Sequence, residues 1–278
     1  MSTNSTIAAL WSRRSLIREL TRSNLKQTHR NTALGYFWWL LDPILMTAVY
    51  TILVTFIRQR PDPSYPAFVM CGLVAWKSFS TNVGQSLTAM SRSEGLIKAF
   101  SFPKAVLPLS IVLSNLVLFA FSLLPLMALC LVYEHVMGVT GIHVGAVVLL
   151  TPLVIVVQLT IDMGMSLMFS SFGVLFRDLA PLMTHVLRMA WYLSPGLYPI
   201  KAVVKDYRGL AHVDWTNVRS LYLLNPFAHL LESYRNVILY GRMPDWLGLA
   251  YALAFGVVVA VVGFRVFRNR ERFFAKWV

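Results

Sequence analysis

Residues 104–133 read KAVLPLSIVLSNLVLFAFSLLPLMALCLVY, a run whose only charge is Lys104 at its start. About 20 apolar residues cross the roughly 30 Å hydrocarbon core of a bilayer as a helix. This run can cross with length to spare for tilt or a bend. Five more apolar stretches lie around it: Tyr36–Ile57, Tyr65–Gln85, Val144–Phe172, Leu182–Ile200 and Leu247–Phe267. The spacing predicts an all-α polytopic membrane protein of six transmembrane helices, with both termini on one side.

Composition points the same way. The 278 residues are 57% hydrophobic and 13% charged, with a mean hydropathy of +0.62. Soluble domains carry about a quarter charged residues. The formal net charge of +13 invites a nucleic-acid reading, but the charges stand at the borders of the apolar stretches. Such charges suit anionic lipid headgroups and phosphate-bearing substrates, not nucleic acid. One side collects Arg13, Arg14, Arg18, Arg22, Lys26, Arg30, Arg92, Lys98, Lys104, Arg177 and the C-terminal Arg265, Arg268, Arg270, Arg272 and Lys276. The other holds Arg58, Arg60 and the scattered cations of one long gap, which weigh little. Both termini are therefore expected in the cytoplasm, with the chain in the plasma (inner) membrane. Cys71 and Cys130 fall in apolar spans, so no disulfide framework is expected. The basic N-terminus precedes no early apolar run and does not read as a cleavable signal peptide.

Residues 5–33 are polar, basic and free of Pro and Gly. Arg14, Arg18, Arg22, Lys26 and Arg30 recur every four residues and form one ridge. Leu10, Leu16, Ile17 and Leu20 lie roughly opposite. An interfacial amphipathic helix on the cytoplasmic leaflet fits, against the alternative of a solvated tail. Tyr36, Phe37, Trp38 and Trp39 follow as an aromatic belt at the membrane edge. Asp42-Pro43 reads as an N-cap and first helical residue, so the first span is expected to restart or kink there.

The gap after the second span carries Leu96, Ile97, Phe100 and Phe102 on the charged side. Residues 96, 97 and 100 share one face of a short helix. An exposed apolar face of this kind marks a binding surface, or else it packs on the protein's own helix ends. Between spans five and six, residues 217–242 hold apolar pieces too short to cross twice. Asn225-Pro226 signals a helix start, and Glu232 can pair with Arg235 at i,i+3. The segment reads as two re-entrant half-helices, or as amphipathic helices lying flat outside.

No P-loop, H-E-x-x-H, G-x-S-x-G or C-x-x-C string occurs, and the six His show no metal-ligand spacing. No catalytic residue, metal site or cofactor is expected on this chain. Lys77, Asp162 and Arg188 fall inside spans, where charges face a partner or a hydrated path. Either they line a substrate pathway, or Asp162 pairs with Lys77 or Arg188.

Several strings together resemble the type-2 ABC exporter permeases that move lipid-linked polysaccharides and teichoic acids. They are Arg18-Glu19-Leu20 with Lys26-Gln27-Thr28, Leu34-Gly35-x-x-Trp38…Pro43, Leu96-Ile97-Lys98 with Phe102-Pro103 and Leu107-Pro108, Phe176-Arg177-Asp178-Leu179, Leu193-Ser194-Pro195-x-x-Tyr198-Pro199, and Asn225-Pro226-Phe227…Tyr234-Arg235…Gly241-x-x-Pro244. They follow the family's order along nearly the whole chain. Glu19 and Glu94-Gly95 depart from its usual residues.

The resemblance implies a single ABC-2 type transmembrane domain over 1–278. It implies a half-transporter, two copies of which pair with two copies of a separate ATPase that binds ATP and Mg. Residues 91–102 would be the cytoplasmic coupling helix, with Leu96, Ile97, Phe100 and Phe102 docking and Ser91, Glu94 and Lys98 at the rim. Asn225, Pro226, Glu232 and Arg235 would belong to an extracellular gate. Tyr36, Phe37, Trp38, Trp39, Lys77, Asp162 and Arg188 are candidates for the substrate pathway. The expected cargo is a lipid-linked anionic glycopolymer, with undecaprenyl-diphosphate-linked wall teichoic acid the first choice because of its phosphate-rich backbone. O-antigen or capsular polysaccharide is the alternative, and a membrane enzyme modifying a lipid-linked glycan is the rival of another class.

Overall fold

The computed structural model describes residues 12–28, 34–58, 62–176, 178–199 and 222–277, and among them there is helix and no strand. The helices are α1 (Arg14–Thr28), α2 (Trp38–Arg58), α3 (Tyr65–Leu87), α4 (Ala89–Arg92), α5 (Glu94–Ala99), α6 (Val106–His135), α7 (Thr151–Leu175), α8 (Leu179–Leu193), α9 (Pro226–Ile238) and α10 (Trp246–Trp277). Short 3₁₀ turns, Gly35–Phe37 and Ala146–Leu150, precede α2 and α7.

Four stretches are long and apolar enough to cross a membrane: Leu40–Ile57, Val106–His135, Ala146–Leu175 and Trp246–Glu271. They correspond to the first, third, fourth and sixth expected spans. The second, α3, has 23 residues, about 35 Å of helix, but Lys77, Asn82 and Gln85 dilute its hydropathy. It can afford them because it runs through the centre of the bundle with most of its residues buried. The fifth, α8, has 15 residues, only about 22 Å, and stops at Leu193 rather than reaching Ile200. Ser194 is extended, as the residue before a proline prefers, and Pro195-Gly196 turns the chain.

The broadest packing is between α7 and α10. Here the backbones touch. A Cβ on Gly263 would lie 2.2 Å from the Gly164 carbonyl oxygen, and one on Gly164 would lie 2.5 Å from the Ala260 nitrogen. Close approach through small residues is how helices associate where the surroundings are as apolar as the interface.

The restart expected at Asp42-Pro43 does not occur. α2 runs unbroken through Pro43, which is buried inside it. One lost backbone hydrogen bond is tolerable in a helix supported by its neighbours. α2 turns Pro43 and Thr47 inward and leaves Ile44, Leu45, Val49, Ile52, Leu53 and Phe56 exposed.

The bundle has two unlike ends. α1, α4, α5 and the end of α10 gather at one, around a cluster of Met90, Ile97, Leu107, Leu167, Phe267 and Phe274, with Leu20, Leu96 and Phe102 packed against it. The connection 136–145 and the end of α9 meet at the other, where His143 N donates to Leu239 O.

Candidate functional site

A polar ladder ties the bundle together at mid-depth. Asn115 Nδ2 on α6 donates to Asn82 Oδ1 (2.8 Å) and Gln85 Oε1 (3.1 Å) on α3. Asn82 Nδ2 donates to Asp162 Oδ2 on α7 (2.8 Å). One turn away, Tyr234 of α9 donates to Gln158 Oε1 (2.8 Å), and Gln158 Nε2 donates to Ala75 O (3.0 Å). Buried polar groups need such partners, and a connected ladder specifies how four helices register.

The intramembrane charges do not pair as expected. Asp162 is 1% exposed and meets Asn82, not Lys77 or Arg188. Lys77 forms its ion pair with Asp42 of α2. Arg188 stands exposed on α8. Asp42 was legible only as a helix cap; its partner lies 35 residues away, beyond the reach of any local pattern.

Two cavities share Gln85 in their walls. One, about 270 Å³, lies among α2, α3 and α6. It is lined by Trp38, Asp42, Lys77, Gln85 and Asn115 together with apolar residues such as Leu73 and Phe119. The other, about 480 Å³, lies under α1. Ser23, Asn24, Gln27, Gln85, Arg92, Ser93 and Ser110 supply most of its lining. Asp162 lines neither. Trp38 and Phe37 are exposed at the start of α2, while the side chains of Tyr36 and Trp39 lie outside the described set.

The expected ridge of α1 is exposed at Arg14, Arg18, Arg22 and Lys26, with Leu16, Ile17 and Leu20 half-buried; Arg30 lies outside the described residues. The helix rests on α6, where Asn24 Nδ2 donates to Ser110 Oγ (3.3 Å). In 91–102 the apolar face is divided. Ile97 is buried and Leu96 and Phe102 are half-buried in the cluster at this end, whereas Phe100 is 65% exposed. The outward surface is Ser91, Glu94, Lys98 and Phe100, with Lys98 Nζ 2.5 Å from Glu94 Oε1.

At the opposite end Asn225 caps α9 by accepting from Phe227 N (3.0 Å), with Pro226 in the first turn, as the sequence signalled. Of the segment 217–242, residues 217–221 lie outside the described set. α9 does not lie flat on the surface. Its Phe227 packs on Trp76 and Phe79 deep along α3, with ring centroids 5.2 and 4.3 Å apart. The expected Glu232–Arg235 pair is absent, because Arg235 points inward. It is fully buried, donates to Pro195 O (2.7 Å) and Gly196 O (2.8 Å), and lies 3.6 Å over the Phe68 ring. Asn225 Nδ2 donates to Ser194 Oγ (3.0 Å). Two sequence strings some 30 residues apart are thus each other's partners.

Helices long and apolar enough to cross a bilayer thus pack around a polar interior, and no metal-ligating cluster occurs among the described residues. Residues 15–239 match the ABC-2 type transporter family, and the chain belongs to it. It is 31% identical to the O-antigen export system permease protein RfbA of Myxococcus xanthus, over 97% of this chain and 98% of that protein. It is 25% identical to a Klebsiella pneumoniae protein of the same name, over 92% of each chain. It is also 25% identical to the polysialic acid transport protein KpsM of Escherichia coli, over 86% of each.

Proposed function

We propose that this protein is the membrane-spanning half of an ATP-driven exporter of a lipid-linked polysaccharide of the O-antigen or capsule class. The carrying observation is the end-to-end likeness to an O-antigen export permease. The relatives named above handle O-antigen and polysialic acid, which favours this cargo over the teichoic acid that charge alone recommended.

In this reading two copies work with two copies of a separate ATPase, which binds ATP and Mg. The chain crosses the plasma membrane six times. α3 is the polar central crossing, and α8 with the turn after it makes up the fifth. The α1 end faces the cytoplasm, in keeping with its excess of Arg and Lys. Ser91, Glu94, Lys98 and Phe100 meet the ATPase. Leu96 and Ile97 work from behind, because they belong to the apolar cluster by which α5 packs on α10. A push on α5 is thereby passed into α10, the longest of the described helices. The exposed apolar rows of α2 and α8 face the second copy and the cargo, with Trp38 and Phe37 offering rings to sugar faces. α9 and the Pro195–Gly196 turn form the outer gate. ATP-driven approach of the two ATPases rocks the halves, and the polymer leaves outward.

The test is ATP hydrolysis and glycan export by the permease co-purified with its ATPase, wild type against Phe100→Asp. Loss of the complex or of coupled hydrolysis supports the reading. An unaltered complex that still exports would remove 91–102 from the ATPase contact.

A further inference from the structure

The two cavities share Gln85 in their walls, and taken together they make a seam whose polarity changes along its length. Beneath α1 the lining is hydroxyls, amides and the Arg92 guanidinium, without a carboxylate. Arg92 is exposed and has no ion-pair partner among the described residues. Beyond Gln85 the seam continues between α3 and α6 past Val74, Leu118 and Phe119. The one cation on that stretch, Lys77, is already neutralised by Asp42. From Gln85 to Leu73 the seam follows α3 for about 18 Å, the length of a common acyl chain.

We propose that this seam binds one anionic phospholipid, its phosphate at Arg92, Ser93 and the α1 amides Asn24 and Gln27, its acyl chain along Leu73, Val74 and Leu118. A phosphate wants a cation plus several neutral donors, and the lower cavity supplies both. A chain wants an apolar surface, and Leu73, Val74, Leu118 and Phe119 supply one in the upper cavity, beside the polar residues Lys77, Ser78, Thr81 and Ser122. A free anion would use only the lower half. The site lies under α1, away from the outward faces of α2 and α8. The cavity under α1 is a lipid site of the single subunit, whereas the upper cavity shares Trp38 with the cargo contacts proposed above, and competition with the lipid-linked glycan tells the two roles apart. Its occupant glues α1 to α3 and α6, adding to the Asn24–Ser110 bond and the packing of Leu20 at this end.

The probe is phosphatidylglycerol carrying a diazirine on its acyl chain, as a minor component of phosphatidylcholine vesicles holding the full permease. After irradiation, peptides are mapped by mass spectrometry. We expect labelling on 73–85 and 115–122, reduced about tenfold by Arg92→Gln, as for loss of one charge-assisted hydrogen bond. Labelling should return in Arg92→Lys and stay unchanged in Arg14→Gln, on the exposed ridge. Ser78→Phe, which blocks the chain midway along the upper cavity, should also abolish it while leaving the melting temperature in place. Three results overturn the proposal: equal labelling by diazirine-tagged phosphatidylcholine with no effect of Arg92→Gln; displacement by inorganic phosphate alone, which marks a free-anion site; or displacement by the lipid-linked glycan, which makes the seam part of the cargo route.

Discussion

At one end of the bundle a fully buried Arg235 holds two backbone carbonyls and an aromatic face. At the other, Arg92 stands exposed beside a cavity of about 480 Å³. The same residue type serves opposite ends of a transporter in opposite ways. At the Arg235 end the packing is close: Trp191 fills the space at Gly196, Phe227 wedges on Trp76, and Asn225 is tied to Ser194. Around Arg92 the apolar cluster is small and the charges face outward. The α9 end is closely packed and tied by buried polar contacts, whereas the α1 end presents charges and a cavity to its surroundings.

The largest expected effect comes from undoing the clamp. Arg235→Met leaves Pro195 O and Gly196 O without donors in a buried site, a loss of roughly 2–4 kcal/mol. Thermal unfolding in detergent should show it. Arg235→Lys should rescue little, since an ammonium cannot fork to both carbonyls and lie flat on Phe68 as well. Full stability in Arg235→Met would mean that this end is not held by Arg235 at all.

Next comes Phe100→Asp at the α1 end. Its melting temperature should match wild type, because Phe100 is outward, while ATP hydrolysis by the complex falls about tenfold, on the scale of an interface anchor. Leu96→Asp should lower both, because Leu96 packs inside. If the two variants behave alike, the division of this face into inner and outer halves is wrong.

The Asp42–Lys77 pair lies between the ends and is about half exposed. Asp42→Asn should cost under about 1 kcal/mol of stability, yet slow export, because α2 loses its polar tether to α3. The charge-swapped double variant, Asp42→Lys with Lys77→Asp, should restore part of the rate. Failure of that rescue would mean that each residue acts alone. Smallest is Glu94→Gln, which removes a half-exposed i,i+4 pair with Lys98. It should shift stability by less than roughly 0.5 kcal/mol in thermal unfolding.

Much of this was legible in the chain. The long apolar runs announced helices of bilayer length, and Asn225-Pro226 announced the start of α9. The basic spacing of α1 set its outward face. Other readings failed for a common reason. Glu232 and Arg235 sit at pairing distance along a helix, yet Arg235 turns to the turn after α8. Asp42 looked like a cap and is an ion-pair partner. Residues 96, 97 and 100 shared one face, but a helix wheel does not reveal that α7 and α10 cover part of it.

The sequence by itself determined what must be true of each segment in a bilayer. Apolar length decides which runs can cross, and charge decides which ends stay in water, because transfer into hydrocarbon is settled residue by residue. Only the tertiary structure decided which polar groups meet. Lys77 with Asp42, Asn82 with Asp162, and Arg235 with Pro195 and Gly196 are each joined across helices. Inside a membrane a buried polar group must find a partner wherever the packing brings one, and packing is a property of the whole bundle.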